Sequence, residues 1–282
     1  MTSLELLLSP FDATPAGLRQ AAALADELGI GGLWTMDHLA GPVHSTRRRV
    51  LECLSSLSIM IEATSRATIG PMVLNPVARH PVVLAQALAT LDQAAGPGRL
   101  HVGIGAGGGG GVYGDELAWA GLVNHDAATR RARVVENIEL LDHLWSGSDG
   151  PWSGDLYAIE GSNGFLVPAT RPPIIVAGYG PKMAELAGLC ANGFNTAATS
   201  PNLEALVTIA RQAAAHRVGA ERPMRITSYA VFEPVWLDAD SAERRRLSAA
   251  GVDAHLVVLP APFDHGLVRE IAAANDLGAT AQ

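Results

Sequence analysis

The stretch from Ala67 to Gly111, ATIGPMVLNPVARHPVVLAQALATLDQAAGPGRLHVGIGAGGGGG, constrains the fold more than any other part of the chain. Ala67 to Leu74 is apolar and rich in strand-forming residues, and Pro76 ends it. Pro81 suits the first position of a helix running to about Ala95, because a proline there lacks only an amide that would be unpaired anyway. Gly96-Pro97-Gly98 stops that helix. A second apolar strand, Arg99 to Gly105, opens directly into glycine. Two apolar strands joined through a helix form a parallel pair. They release their loops at one edge, where α/β proteins bind ligands.

The same rhythm runs through the rest of the chain. Leu4 to Leu8 is a short apolar strand, followed by a helix over 16–28 with Leu18, Ala21, Ala22, Ala25 and Leu28 on one face. Gly32 to Met36 is a strand that ends in Asp37-His38, and Arg48 to Thr64 reads as its helix. Ala127 to Trp145 is a long amphipathic helix, and 147–167 reads as a hairpin lying outside the repeat. Strands are expected over Pro173–Ala177, Gly193–Ala197, Met224–Leu237 and Val252–Leu259. Their helices are Pro181–Ala191, Asn202–Ala215, a segment from Asp238 with Asp240 and Ser241 as cap candidates, and Asp264–Asn275. Eight strand–helix pairs in 282 residues point to a (β/α)8 TIM barrel as one domain over 1–282. A doubly wound sheet is the alternative.

Charge and composition narrow the partners. The net charge is -8, and the two arginine triplets, Arg47 to Arg49 and Arg244 to Arg246, are isolated. That pattern gives no nucleic-acid footprint and reads as solvated helix ends or loops. Anion capture is the functional alternative for the first triplet, which follows a strand end. No basic segment precedes the apolar residues at the amino terminus, and no apolar run reaches the ~18 residues of a membrane span. Cys53 and Cys190 lack CxxC spacing and read as small hydrophobes buried in a reducing cytoplasm. The abundant Ala, Gly and Arg, with Lys182 the sole lysine, suggest a GC-rich bacterial genome. The nine histidines contain no HxxH or HExxH set, so no metal site is expected.

A barrel places its site at the carboxyl ends of the strands. Asp37-His38 closes one strand with a group able to exchange a proton near neutral pH; a loop histidine bonded to backbone is the plain alternative. Gly103-Ile104-Gly105-Ala106-Gly107-Gly108 satisfies GxGxxG, but a polyglycine loop follows it in place of a helix. What remains is backbone bare of side chains, suited to a flat ring or a phosphate. Gly178-Tyr179-Gly180-Pro181 precedes a helix and offers free amides to a phosphate, or is a simple strand–helix turn. Pro71 removes a ladder donor inside a central strand and so predicts a bulge at Met72-Val73. Trp34 and Trp145 read as core.

Together these stretches resemble the luciferase-like monooxygenase family, in particular its branch of deazaflavin (coenzyme F420) dependent oxidoreductases. The resemblance is carried by GIGGLWTMDH at 29–38, ATIGPMVL at 67–74, RHPVVLAQALATLD at 79–92, GRLHVGIGAG at 98–107, the helix over 130–145 and PPIIVAGYG at 172–180. It implies a metal-free barrel binding a flavin-type ring, F420 or alternatively FMN, and a small organic substrate. By resemblance, Asp37 and His38 flank the ring and His38 handles the substrate proton. Met72-Val73 backs the ring, often through a cis peptide. Asn75, Gly105, Ala106 and Gly107 meet the ring or its side chain, and Ala177, Gly178, Tyr179 and Gly180 receive the phosphate end. The family's sugar-phosphate dehydrogenases carry a glutamate where this chain has Gly108, and a tryptophan where it has Ala40-Gly41-Pro42. Glucose 6-phosphate is therefore not the expected substrate. An FMN monooxygenase and a non-catalytic flavin-binding relative are the rival readings, and the oligomeric state is open, a homodimer being one option.

Overall fold

A computed structural model describes residues 2–39, 41–43, 46–217 and 223–279. Eight parallel strands form one sheet: β1 (Ser3–Leu8), β2 (Gly32–Thr35), β3 (Thr68–Pro71), β4 (Val102–Ile104), β5 (Ile174–Ala177), β6 (Gly193–Ala197), β7 (Arg225–Val231) and β8 (Ala254–Leu259). Their spatial order is β3-β2-β1-β8-β7-β6-β5-β4. The seam between β3 and β4 is bridged at Ile69–Leu100 and Leu74–Ile104, with the Leu74 amide donating to Gly103 O at 2.9 Å. The sheet thereby closes on itself as the expected (β/α)8 barrel, and an open doubly wound sheet is ruled out.

Buried parallel strands are apolar on both faces, and β8 shows why. Ala254, Leu256 and Val258 point inward to meet Leu7, Trp34, Met72 and Ile175. Val257 and Leu259 point outward into the layer under the helices. The helices are α1 (Pro15–Glu27), α2 (Cys53–Glu62), α3 (Pro81–Ala95), α4 (Val112–Trp119), α5 (Ala127–Trp145), α6 (Pro181–Cys190), α7 (Leu203–Ala215), α8 (Ala242–Ala249) and α9 (His265–Ala279). In α1 the Thr14 hydroxyl accepts from the Gly17 amide at 3.1 Å, Pro15 takes the first turn, and Leu18, Ala21, Ala22 and Ala25 face the barrel. None of the described helices is long and apolar enough to cross a membrane.

The floor of the barrel is polar and closed. Trp34 Nε1 donates to Glu5 Oε2 at 2.7 Å, Arg225 donates to the other Glu5 oxygen, and Arg225 Nη1 lies 3.1 Å from His101 Nδ1. Burial, reinforced by Arg225, pushes the His101 pKa down to about 4. A Cβ at Gly32 would lie 2.3 Å from the Glu5 carboxylate, so glycine is what lets this layer close. A ligand is left with the opposite, carboxyl end.

Several expected boundaries shift. The helix expected over Arg48–Thr64 begins only at Cys53, because the Glu52 side chain caps it by accepting from Leu54 N at 3.1 Å and Ser55 N at 2.7 Å. Arg48 instead lies in a short antiparallel pair, Gly41–Val43 with Thr46–Arg48, and bonds Asp12 at 2.8 Å. Of the second triplet, Arg245 stays exposed as expected, but Arg244 is buried and donates to Thr2 O at 3.0 Å and Trp236 O at 3.4 Å. The long strand expected over Met224–Leu237 ends at Val231 and gives way to a 3-10 turn over Pro234–Trp236. Ser241, not Asp240, caps α8. Helix α4 was not anticipated, since glycine surrounds its start. Cys53 is fully buried, whereas Cys190 is only partly so; burial pushes its thiol up to about 12. Trp34 and Trp145 are core, as expected. The segment 147–167 holds an antiparallel pair, Trp152–Ser153 with Ala158–Ile159. The Glu136 carboxylate anchors it through the amides of Asp155, Leu156 and Tyr157 at about 3 Å. Ala40 lies outside the described residues.

Candidate active site

At the carboxyl end of the barrel is a cavity of about 270 Å³. The segment after β2 supplies its carboxylate and its imidazole, Asp37 and His38, and alternation along the chain sends them to different partners. Asp37 is buried and accepts from the Asn75 amide at 2.9 Å and from the Arg79 guanidinium. Arg79 also donates to Glu52 Oε1 at 2.6 Å. Burial works against the Arg79 charge, but Asp37 and then Glu52 outweigh it and hold the guanidinium above its ordinary pKa. Asp37 thus fastens the end of β2 to the segment after β3.

His38 turns the other way. Its Nδ1 lies 3.1 Å from Glu116 Oε2, and the other Glu116 oxygen accepts from the Leu39 amide. Glu116 is only 5% exposed. The His38 ring sits between Phe11, 5.0 Å away, and Tyr113, stacked at 5.3 Å with 23° between the planes. A carboxylate on Nδ1 sets the tautomer and leaves Nε2 for a ligand.

The bulge expected at Met72-Val73 is present, and the peptide between them is cis. Opposite it runs the bare backbone of Gly105 to Gly107. A Cβ on Gly105 would lie 2.7 Å from Val73 Cγ2, and one on Gly107 would lie 2.2 Å from Asn75 Oδ1. Gly107 also adopts φ 62°, which a side chain disfavours. Ala177, Gly178 and Tyr179 come from the β5–α6 turn. Here the Gly178 amide is already spent on Asn195 O at 3.0 Å, while Gly180 opens α6 with no side-chain cap.

The ring, proton-transfer and phosphate candidates singled out from the sequence line this one cavity except Gly180, the N-cap of α6, while Arg48 and Arg49 of the first arginine triplet do not line it and Arg48 is paired with Asp12. Local sequence signals do not single out Tyr113 on α4, Arg130 on α5 and Tyr229 at the end of β7, which also line the cavity, nor Glu116 on α4, which backs His38 from behind the lining. The Tyr179 and Tyr229 hydroxyls are bonded across the rim. Burial and the neighbouring tyrosine push Tyr113 up to about 12, so it stays a neutral phenol. The one available signal was Tyr113, Glu116 and Leu117 at helical spacing just after the glycine run.

A flat heteroaromatic ring fits these walls. One face would rest on Val73 and the glycine backbone. Thr196 Oγ1, at the cavity, is buried with no hydrogen-bond partner and offers such a ring a polar contact.

Fold and cavity together define a (β/α)8 barrel with an open pocket at its carboxyl end, beside a histidine held by a buried carboxylate. The chain belongs to the luciferase-like monooxygenase family, whose pattern it matches over residues 5–278. It is 31% identical over 181 residues to the F420-dependent glucose-6-phosphate dehydrogenase of Amycolatopsis mediterranei, a match covering 64% of this chain and 53% of that protein. The chain spans about half the length of the curated relatives it matches. Among solved structures, an F420-dependent secondary alcohol dehydrogenase in complex with an F420-acetone adduct superposes with a TM-score of 0.80 at 19% identity, covering 97% of this chain and 98% of that one. The coenzyme F420 dependent tetrahydromethanopterin reductase from Methanopyrus kandleri gives 0.78 at 18% identity, covering 98% and 99%.

Proposed function

We propose that this chain is an oxidoreductase that moves a hydride between the deazaflavin F420 and a small organic substrate, with His38 as the proton-transfer group. The observation that carries the reading is the pairing of buried Glu116 with His38 Nδ1 at 3.1 Å, at a cavity whose other wall is bare glycine backbone. When bound, the deazaflavin supplies or accepts the hydride. Val73 and the backbone of Gly105 to Gly107 hold the ring plane, and Asp37 braces the wall beside it through Asn75 and Arg79. His38 Nε2 removes the hydroxyl proton as an alcohol is oxidised, or returns one to the oxygen as a carbonyl is reduced. Tyr113, stacked on His38, shields that exchange from bulk water.

The names of the relatives favour F420 as the cofactor. The glucose 6-phosphate of the relatives' name is not carried over, because Gly108 offers no side chain where the sugar-phosphate dehydrogenases have their glutamate. Absorption titration of the protein with F420 and with FMN tests the cofactor. Binding of F420 with substrate-dependent bleaching or recovery of its chromophore, and without oxygen uptake, is the expected result. Binding of FMN alone, with oxygen consumed on turnover, would overturn the reading in favour of a monooxygenase.

A further inference from the structure

Charge at the cavity is balanced everywhere but in one place. Asp37 is paired with Arg79, and His38 meets Glu116. Arg130 also lines the cavity, and it has no acidic partner among the described residues. Its Nη1 donates only to neutral oxygens, Asn124 Oδ1 and His125 O, each at 3.2 Å. Its Nε is buried with no hydrogen-bond partner at all. A guanidinium presents five donors in a fixed fork, and a buried donor left unmade is costly. Against this fork lie Gly108 and Gly109. A Cβ on Gly108 would come 3.2 Å from Arg130 Cδ, and one on Gly109 would come 3.7 Å from Nη1 and Nη2. A side chain at Gly108 would press on the arginine stem, so glycine there leaves the guanidinium its place at the cavity wall.

We propose that Arg130 docks an oxyanion, a carboxylate or phosphate, of the ligand that fills the cavity, and that this group belongs to the substrate. Nη2 makes no hydrogen bond among the described residues, and a guanidinium with that donor free at a cavity suits an oxyanion better than a neutral carbonyl. The substrate is the source because Arg130 lies on the His38 side of the glycine loop. A Cβ on the same Gly108 would also come 3.1 Å from Leu117 Cδ1, and Leu117 follows Glu116 on α4. The turn at Ala177 to Gly180 is a separate stretch of the rim. This assignment rests on reading the cavity as an oxidoreductase site, and it narrows the substrate to an anionic one.

The test is calorimetric titration of the full chain, free of cofactor, with benzoate and with benzamide, which share a shape and differ in charge. Benzoate is expected to bind the wild type and to weaken about ten- to hundredfold in Arg130→Met, the usual worth of a hydrogen bond to a charged group. Arg130→Lys, which keeps the charge and loses the fork, should fall between them, and benzamide should not distinguish the three proteins. In a second arm, F420 should bind wild type and Arg130→Met within about twofold of each other, and benzoate should still bind the F420-loaded protein. Benzoate that fails to bind the wild type, or binds all three proteins alike, would overturn the site. F420 affinity falling in step with benzoate, with benzoate excluded from the loaded protein, would overturn its assignment to substrate and give Arg130 to the cofactor phosphate. Failure of the parent reading shows separately, as wild type that binds no F420.

Discussion

Replacing Glu116 with glutamine tests whether the carboxylate beside His38 sets its proton. As a carboxylate, Glu116 accepts twice, from His38 Nδ1 at 3.1 Å and from the Leu39 amide. Glutamine keeps the shape but has one acceptor oxygen and a donating amide. If the oxygen stays on Leu39 N, the amide faces His38 Nδ1 and forces the ring proton onto Nε2, removing the lone pair a base needs. If the side chain flips, a donor faces the Leu39 donor in a site where Glu116 is only 5% exposed. In both cases the imidazolium formed during turnover loses its counter-charge. A hydrogen bond to a charged group contributes about 1.5–3 kcal/mol, which corresponds to about a 10- to 150-fold loss in kcat/KM. The measurement is steady-state kcat/KM on any accepted substrate, with the F420 dissociation constant measured alongside. Because the overall equilibrium is unchanged, both directions must fall by the same factor. A kcat/KM within about twofold of wild type, with F420 still bound, would refute the positioning role.

Three further outcomes follow from the same geometry. His38→Ala should lower kcat by roughly 10²–10⁴-fold while F420 affinity changes little; unchanged kcat would return His38 to a structural role. Gly107→Ala places a Cβ 2.2 Å from Asn75 Oδ1 at φ 62°; it should abolish or strongly weaken ring binding in an absorption titration, and unaltered F420 affinity would show that the ring lies elsewhere. Acid should destabilise the fold earlier than carboxylate protonation alone requires. Burial, then Arg225, pushes His101 down to about 4, and burial, then Arg244, pushes His255 down to about 3. Each is neutral when folded near pH 7 but binds a proton at the ordinary histidine value of 6.5 when unfolded. Their contribution is therefore full above pH ~6.5 and is lost as pH falls toward 4 and below, at about 1.4 kcal/mol per pH unit for each histidine. Urea midpoints at pH 7, 5.5 and 4.5 check this, and a midpoint flat between 7 and 4.5 would contradict it.

Local and near-local signals determined much of this protein. Apolar runs set the eight strands, and proline and glycine marked the ends of α1, α3 and α6, because helix starts and stops depend on a few adjacent residues. The positions of Asp37-His38, Asn75 and the glycines of 105–107 at strand ends were legible for the same reason: in a parallel barrel every strand delivers its carboxyl end to one rim. The Met72-Val73 bulge was readable from Pro71 and the family resemblance. Tertiary structure alone decided who partners whom. Glu116 reaches His38 across 78 positions and Arg79 reaches Asp37 across 42, separations that no periodicity spans. It also buried Arg244, which the charge pattern assigned to solvent, because its two guanidinium donors to backbone oxygens, at Trp236 and Thr2, could be satisfied only once the barrel had brought the start of the chain against α8. Arg130 is the sharpest instance: in sequence it is one arginine of several on an amphipathic helix, and only the glycine backbone folded against it leaves room for its guanidinium at the cavity wall.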